Sequence, residues 1–138
     1  MPKRLVTWMH DPPEWRPVWL GGHLWGALMG AVTLTAPPLT IKGELGPVLT
    51  TVWGILALVG SLIAAANVYS RHAWAERLGI QIAALGTGLY SATILYLWVS
   101  TGENRGTQFF AVSLGLFFFL ARFLTVEHWD DRDLAREI

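Results

Sequence analysis

The residues of this chain that could move a proton or hold a metal ion are four histidines and ten carboxylates; there is no cysteine. His10, His23, His72 and His128 lie far apart in sequence, and no two stand at the i, i+4 spacing that puts two ligands on one helix face. A haem or metal centre is therefore not expected. Redox chemistry through paired cysteines is excluded outright. The carboxylates, among them Glu14, Glu76 and Glu103, all fall in tails or between apolar runs. Proton-driven pumps and carriers place an acid, a base or a histidine on the translocation path, and no acid is so placed here. No catalytic motif stands out. The reading is of a protein that is not an enzyme and needs no cofactor.

Two four-helix families bear on this reading. Exporters of the small multidrug resistance type carry a glutamate within their first helix, whereas Glu14 precedes the first apolar run here. The cluster Asn67, His72, Glu76 and Arg77 resembles, over about ten residues and without an ordered motif, the polar residues of membrane glutathione transferases. The plainer reading makes Arg71, Arg77 and Glu76 the anchors of a tight turn, with Arg122 as a pairing partner for Glu76.

The elements that must position these residues follow from composition. Only 14% of the chain is charged, against about 25% in a soluble domain. Four apolar runs, about 18–38, 48–70, 78–99 and 107–126, each reach the roughly 20 residues that cross a bilayer. The expected fold is all-α: an integral membrane protein of four transmembrane helices in an antiparallel bundle. An N-terminal arm (1–17) precedes this transmembrane domain (18–126) and a charged tail (127–138) follows it, where Asp130 or Asp131 could cap a short helix. The positive start, Lys3 and Arg4, reads as a retained signal anchor. Ala36-Pro37-Pro38 ends the first run, and Pro47 opens the second after a short polar loop, Thr40 to Gly46.

Gly22, Gly26 and Gly30 recur every four residues in the first run and share one helix face. In lipid, helices associate through close packing of small residues, because apolar side chains gain nothing by leaving lipid tails for one another. Ala57, Ser61 and Ala65 extend such a face on the second helix, and Ala84, Gly88 and Ala92 on the third. With Trp74 taken as the centre of the second connection, Gly60 lies level with Gly88 and Asn67 with Gln81. The latter two are expected to hydrogen-bond as an intramembrane polar pair. Phe109, Phe110, Phe117, Phe118, Phe119 and Phe123 make the fourth helix bulky and suit it to lipid or a second subunit.

Lysine and arginine set the orientation. Lys3, Arg4, Arg16, Arg71, Arg77, Arg122, Arg132 and Arg136 fall on one side, and Lys42 and Arg105 on the other. That bias places both termini in the cytoplasm and the chain in the cytoplasmic (inner) membrane. Trp15 and Trp19, with Arg71, Arg77 and Arg122, read as anchors at the inner interface, Arg122 within snorkelling reach of it. Trp53 and Trp98 read as an outer belt, with Trp25 inside the first helix. Nothing suggests nucleic-acid binding, since there is no basic stripe. The partners expected are the lipid bilayer and either further copies of the chain or another membrane protein.

In length, span count, basic N-terminal arm, charged tail and lack of an active site, the chain resembles the holin-like membrane proteins of phage lysis cassettes. That resemblance implies self-association into lesions that permeabilise the membrane. An accessory or scaffold subunit of a larger membrane complex is the alternative the same features allow.

Overall fold

The computed structural model describes residues 13–36, 39–70 and 72–136, and their side chains except at 13, 39–45 and 127–136. Arg71, most of the N-terminal arm and the side chains of the tail thus lie outside the described residues. Among the described residues the chain forms four α-helices after a 3-10 turn at Pro13–Trp15: α1 (Arg16–Thr35), α2 (Leu39–Asn67), α3 (Ala73–Thr101) and α4 (Gly106–Arg136).

Local chemistry sets most of the ends. Pro17 lies in the first turn of α1, where a missing N–H costs nothing. At the other end Ala36 leaves helical geometry, as a residue before proline is pushed to do. Of the expected loop, Thr40 to Gly46, residues 40–45 are helical and the break narrows to Gly46, whose φ of 76° favours glycine. Pro47 then restarts α2. Gly102, at φ 70°, ends α3 by donating its N–H to the Trp98 carbonyl at 3.2 Å. No break separates the fourth apolar run from the tail. The α4 backbone passes through Asp130 and Asp131, so neither caps a separate helix.

Three segments are long and apolar enough to cross a membrane: Gly46–Asn67, Ala73–Thr101 and Gly106–Val126. Helix α1 is not among them. Its 20 residues include four glycines, two tryptophans and His23, which dilute its apolar character.

Helices α2 and α3 pack backbone against backbone. A Cβ built on Gly60 would lie 2.4 Å from the Ala83 amide nitrogen, and one on Gly79 would lie 2.5 Å from that of Ala64. Further along, Gly86 meets the Trp53 carbonyl, and the rings of Trp53 and Tyr90 meet tilted at 36°, their centroids 4.0 Å apart. Pairs such as Gly60 with Ala83 and Trp53 with Tyr90 centre this hairpin close to His72, not on Trp74. That shift turns a different face of α3 inward. Gly79, Ala83 and Gly86 form the seam, while Ala92 is exposed and Gly88 looks toward Leu116 of α4 at 4.0 Å. Trp53 is buried in the seam at 2% exposure instead of standing in an outer belt.

The same shift separates Asn67 from Gln81. Asn67 Nδ2 donates to the Ile63 carbonyl at 2.8 Å and its Oδ1 accepts from Ser70 Oγ at 3.1 Å, while Gln81 is exposed. A polar side chain at a helix end meets its need locally when nearby backbone carbonyls and hydroxyls are in reach.

Candidate functional site

The apolar core, made by Ala64, Ile80, Ala83, Phe119 and Val126, leads directly into a buried polar knot. Three helices supply it. Trp19 and His23 stand one turn apart on α1 and so share a face. Phe118, Phe119 and Arg122 lie at i, i+1 and i+4 on α4. Glu76 sits in the first turn of α3. At this point the side chains of the three helices interlock.

Arg122 Nε donates to Glu76 Oε1 at 2.7 Å and its second guanidine nitrogen donates to Oε2 at 3.1 Å. This is the fork-to-fork geometry that makes arginine–carboxylate pairs strong and directional. Both side chains are buried, as is His23 at 0% exposure. His23 Nε2 lies 3.7 Å from Glu76 Oε1, an electrostatic contact too long for a hydrogen bond. The imidazole stacks on Phe119 at 17° between planes and meets Phe118 edge-on. The Trp19 ring lies 5.1 Å from the Arg122 guanidinium carbon. Arg77 lies over the Phe123 ring at 5.3 Å.

The expected pairing of Glu76 with Arg122 is present. The expected snorkelling of Arg122 is not, because its guanidinium turns inward to a carboxylate instead of outward to the interface. His23 is the member that sequence reasoning left out. The signal was there: a histidine one turn from Trp19 on the face of the glycine ladder, with an arginine in the fourth apolar run that required a counter-charge. Both Glu76 oxygens accept from Arg122, while the rings of Phe118 and Phe119 lie against His23 and that of Trp19 against Arg122. A knot of this kind ties α3 to α4 and seats His23 of α1 against them. Among the described residues no three metal-ligating side chains converge.

The other expected site residues are distributed as follows. Gly22 receives the Phe118 ring, Gly26 faces Ser61 Oγ and the Phe119 ring, and Gly30 meets the backbone of α2 at Gly54 and Leu58. The ladder is thus used within the chain, on two partners. Ser61 is buried against it and Ala57 is half-buried. Trp15 is exposed.

Beyond Phe118 and Phe119, α1 and α4 diverge and leave a slot of about 460 Å³. Gly26, Gly30, Trp53 and Gly86 belong to its inner lining, and Trp25, Met29, Ala111 and Leu114 to its exposed rim. No protein-family model, curated protein or solved structure matches the chain.

Proposed function

We propose that this chain is a non-enzymatic accessory or scaffold subunit of a larger membrane complex. Its helices form an antiparallel bundle in the cytoplasmic membrane, α1 included, with both termini inside. The observation that carries this reading is the division of its surfaces. The glycine ladder, on which close self-association would rest, is spent on Phe118, Ser61 and α2. Outward, α4 carries Phe110, Leu114, Phe117, Ala121 and Leu124, all exposed and alternating at four and three residues. That is the spacing of a helix–helix seam. Helix α4 has 31 residues and is about 46 Å long, beyond the ~30 Å hydrocarbon core. Its charged end therefore projects far enough to meet a soluble partner. Arg122 and Glu76 neutralise one another in the knot, so the reading needs no ion or proton pathway.

The test is inducible expression in a bacterium, with and without a cytoplasmic endolysin, while membrane potential and growth are followed. An accessory subunit accumulates in the membrane with potential unchanged. A photo-crosslinking residue at Phe117 then forms a discrete adduct with one membrane protein of the source organism. Sudden depolarisation, with lysis only when endolysin is present, overturns this reading in favour of the holin-like one.

A further inference from the structure

His23 is enclosed at 0% exposure, yet among the described residues neither of its ring nitrogens has a hydrogen-bond partner. A neutral imidazole carries one N–H donor and one lone pair. Burying both unmade costs free energy that an apolar ring in the same space would not. The geometry shows where a partner stands ready. Nε2 lies 3.7 Å from Glu76 Oε1, about 0.8 Å beyond a hydrogen bond of ordinary length. An ionised carboxylate oxygen has two acceptor directions, and Oε1 spends one of them on Arg122 Nε.

The charges set around His23 can be named. Helix α3 brings Glu76, and α4 brings Arg122. On α1 itself Arg16 stands two turns earlier on the same face and is half-buried. Helix α2 meets this face at Gly26 through Ser61, whose hydroxyl carries no charge. Of the other basic groups of α3 and its cap, Arg77 lies over the Phe123 ring and His72 is exposed.

With His23 neutral, Glu76 and Arg122 sum to zero. A proton on His23 leaves one net positive charge in a buried site, which is costly. The knot returns to zero when one cation leaves, and Arg122 is the one with somewhere to go. His23 has a short side chain set against Phe118 and Phe119. Arg122 lies one turn, about 6 Å, from Val126, where the apolar span ends. Its long stem can carry the guanidinium to that polar edge. The Trp19 ring, one turn nearer the start of α1, already faces the guanidinium.

We propose that His23 is a proton-operated switch in the knot: taking up a proton, it replaces Arg122 on Glu76, and the tie between α3 and α4 becomes a tie between α3 and α1. The proton comes from water at the same edge and adds to the lone pair of the ring; Glu76 and Arg122 keep their protonation. Both states of the buried site are neutral, which makes the device two-state. Helix α4 runs unbroken from Arg122 to Arg136, so the release acts on its projecting end. Any effect on a soluble partner rests on the subunit reading; the exchange itself does not.

The test uses the full chain, labelled with nitrogen-15 at histidine and arginine, in phosphatidylcholine nanodiscs. NMR follows it from about pH 8 to about pH 5, the range in which histidine ordinarily changes charge. Imidazole nitrogen shifts distinguish one N–H from two, and the Arg122 Nε–H signal reports the bond to Glu76. His23 is expected to gain its second N–H in the same step in which protection of Arg122 Nε–H against exchange falls by about tenfold or more. His23→Phe and His23→Gln, neither able to take the proton, should keep that protection across the range. A His23 ring that holds a single N–H throughout overturns the proposal. So does a ring that gains the second N–H while Arg122 stays protected, since both cations would then share Glu76. A fall in protection that persists in both variants overturns it too, because acid would then act on Glu76 directly. Parallel loss of protection at the Gly60 and Ala83 amides of the α2–α3 seam would mean unfolding of the bundle, and would also overturn it. The titration of the unaltered chain decides the matter even where a variant folds poorly. None of these outcomes depends on whether the protein depolarises a membrane or binds a partner.

Discussion

The seam between α2 and α3 and the seam between α1 and α4 are both made with glycine, and they close differently. In the first, small residues face small residues: Gly60 against Ala83, and Gly79 against Ala64. The two backbones meet along several turns. In the second, glycine faces an aromatic ring. Phe118 fills the space over Gly22, and Phe119 reaches Gly26. A knob in a hole gives firm contact at one level, but the bulk of the knob holds the rest of the two helices apart. The open slot follows from that. Small residues on one helix permit close approach only where the partner is also small. Where the partner is large, contact is local; at the same level the ion pair of Glu76 and Arg122 ties α4 to α3.

The sharpest way to break this contrast is at the knot. Arg122→Met alone leaves Glu76 as an uncompensated buried charge and should cost about 3–5 kcal/mol. In Arg122→Met combined with Glu76→Met no charge is stranded, so most of the loss should return. Reversible unfolding in mixed micelles measures both, and a double variant as unstable as the single one would show that packing, not charge, holds α4 in the knot.

In the first seam, Gly60→Leu must push α2 off the α3 backbone, and overpacking of this kind costs about 1–3 kcal/mol. Gly88→Ala, at a position whose nearest neighbour is 4.0 Å away, should change stability by less than about 0.5 kcal/mol. Equal effects at the two glycines would place the seam on the wrong face of α3.

Gly22→Ala collides with Phe118, and a loss of about 1–2 kcal/mol is expected. Phe118→Leu in the same chain should recover part of it, an interaction a double-mutant cycle reads directly. If the two changes add, the ring does not occupy the space over Gly22.

The smallest effect concerns Asn67 and Gln81. Their alanine variants should combine additively to within about 0.5 kcal/mol, because Asn67 bonds within its own helix end and Gln81 is exposed. Coupling beyond that would restore the cross-hairpin pair.

Much of the architecture was open to a reader of residues alone. The apolar runs, the prolines at 17, 37, 38 and 47 and the glycines at 46 and 102 mark where helices start and stop, because those residues act on their own backbone. The four-residue period of Gly22, Gly26 and Gly30 defines a face for the same reason. Register was not open in this way. Placing the hairpin centre at Trp74 instead of close to His72 rotates α3, and Gly88 then replaces Gly86 as the seam residue. Trp53 looks like a belt residue by type and is a core residue by position, since composition does not say which side of a helix meets a neighbour.

Local chemistry thus determined, from sequence alone, an all-helical chain with long apolar helices, three of the four expected spans being long and apolar enough to cross a membrane, a first helix with a smooth face, and an arginine in an apolar run that must find an acid. The acid, Glu76, was named from the sequence; that the pair lies buried beside His23 only the tertiary structure decided. His23, Glu76 and Arg122 stand on three helices and meet because glycines let those helices converge at one level. Where Phe118 and Phe119 hold α1 and α4 apart, the slot opens. Both results depend on distances between elements, and those are settled by how side chains of different size mesh across helices, not by any residue's effect on its own backbone.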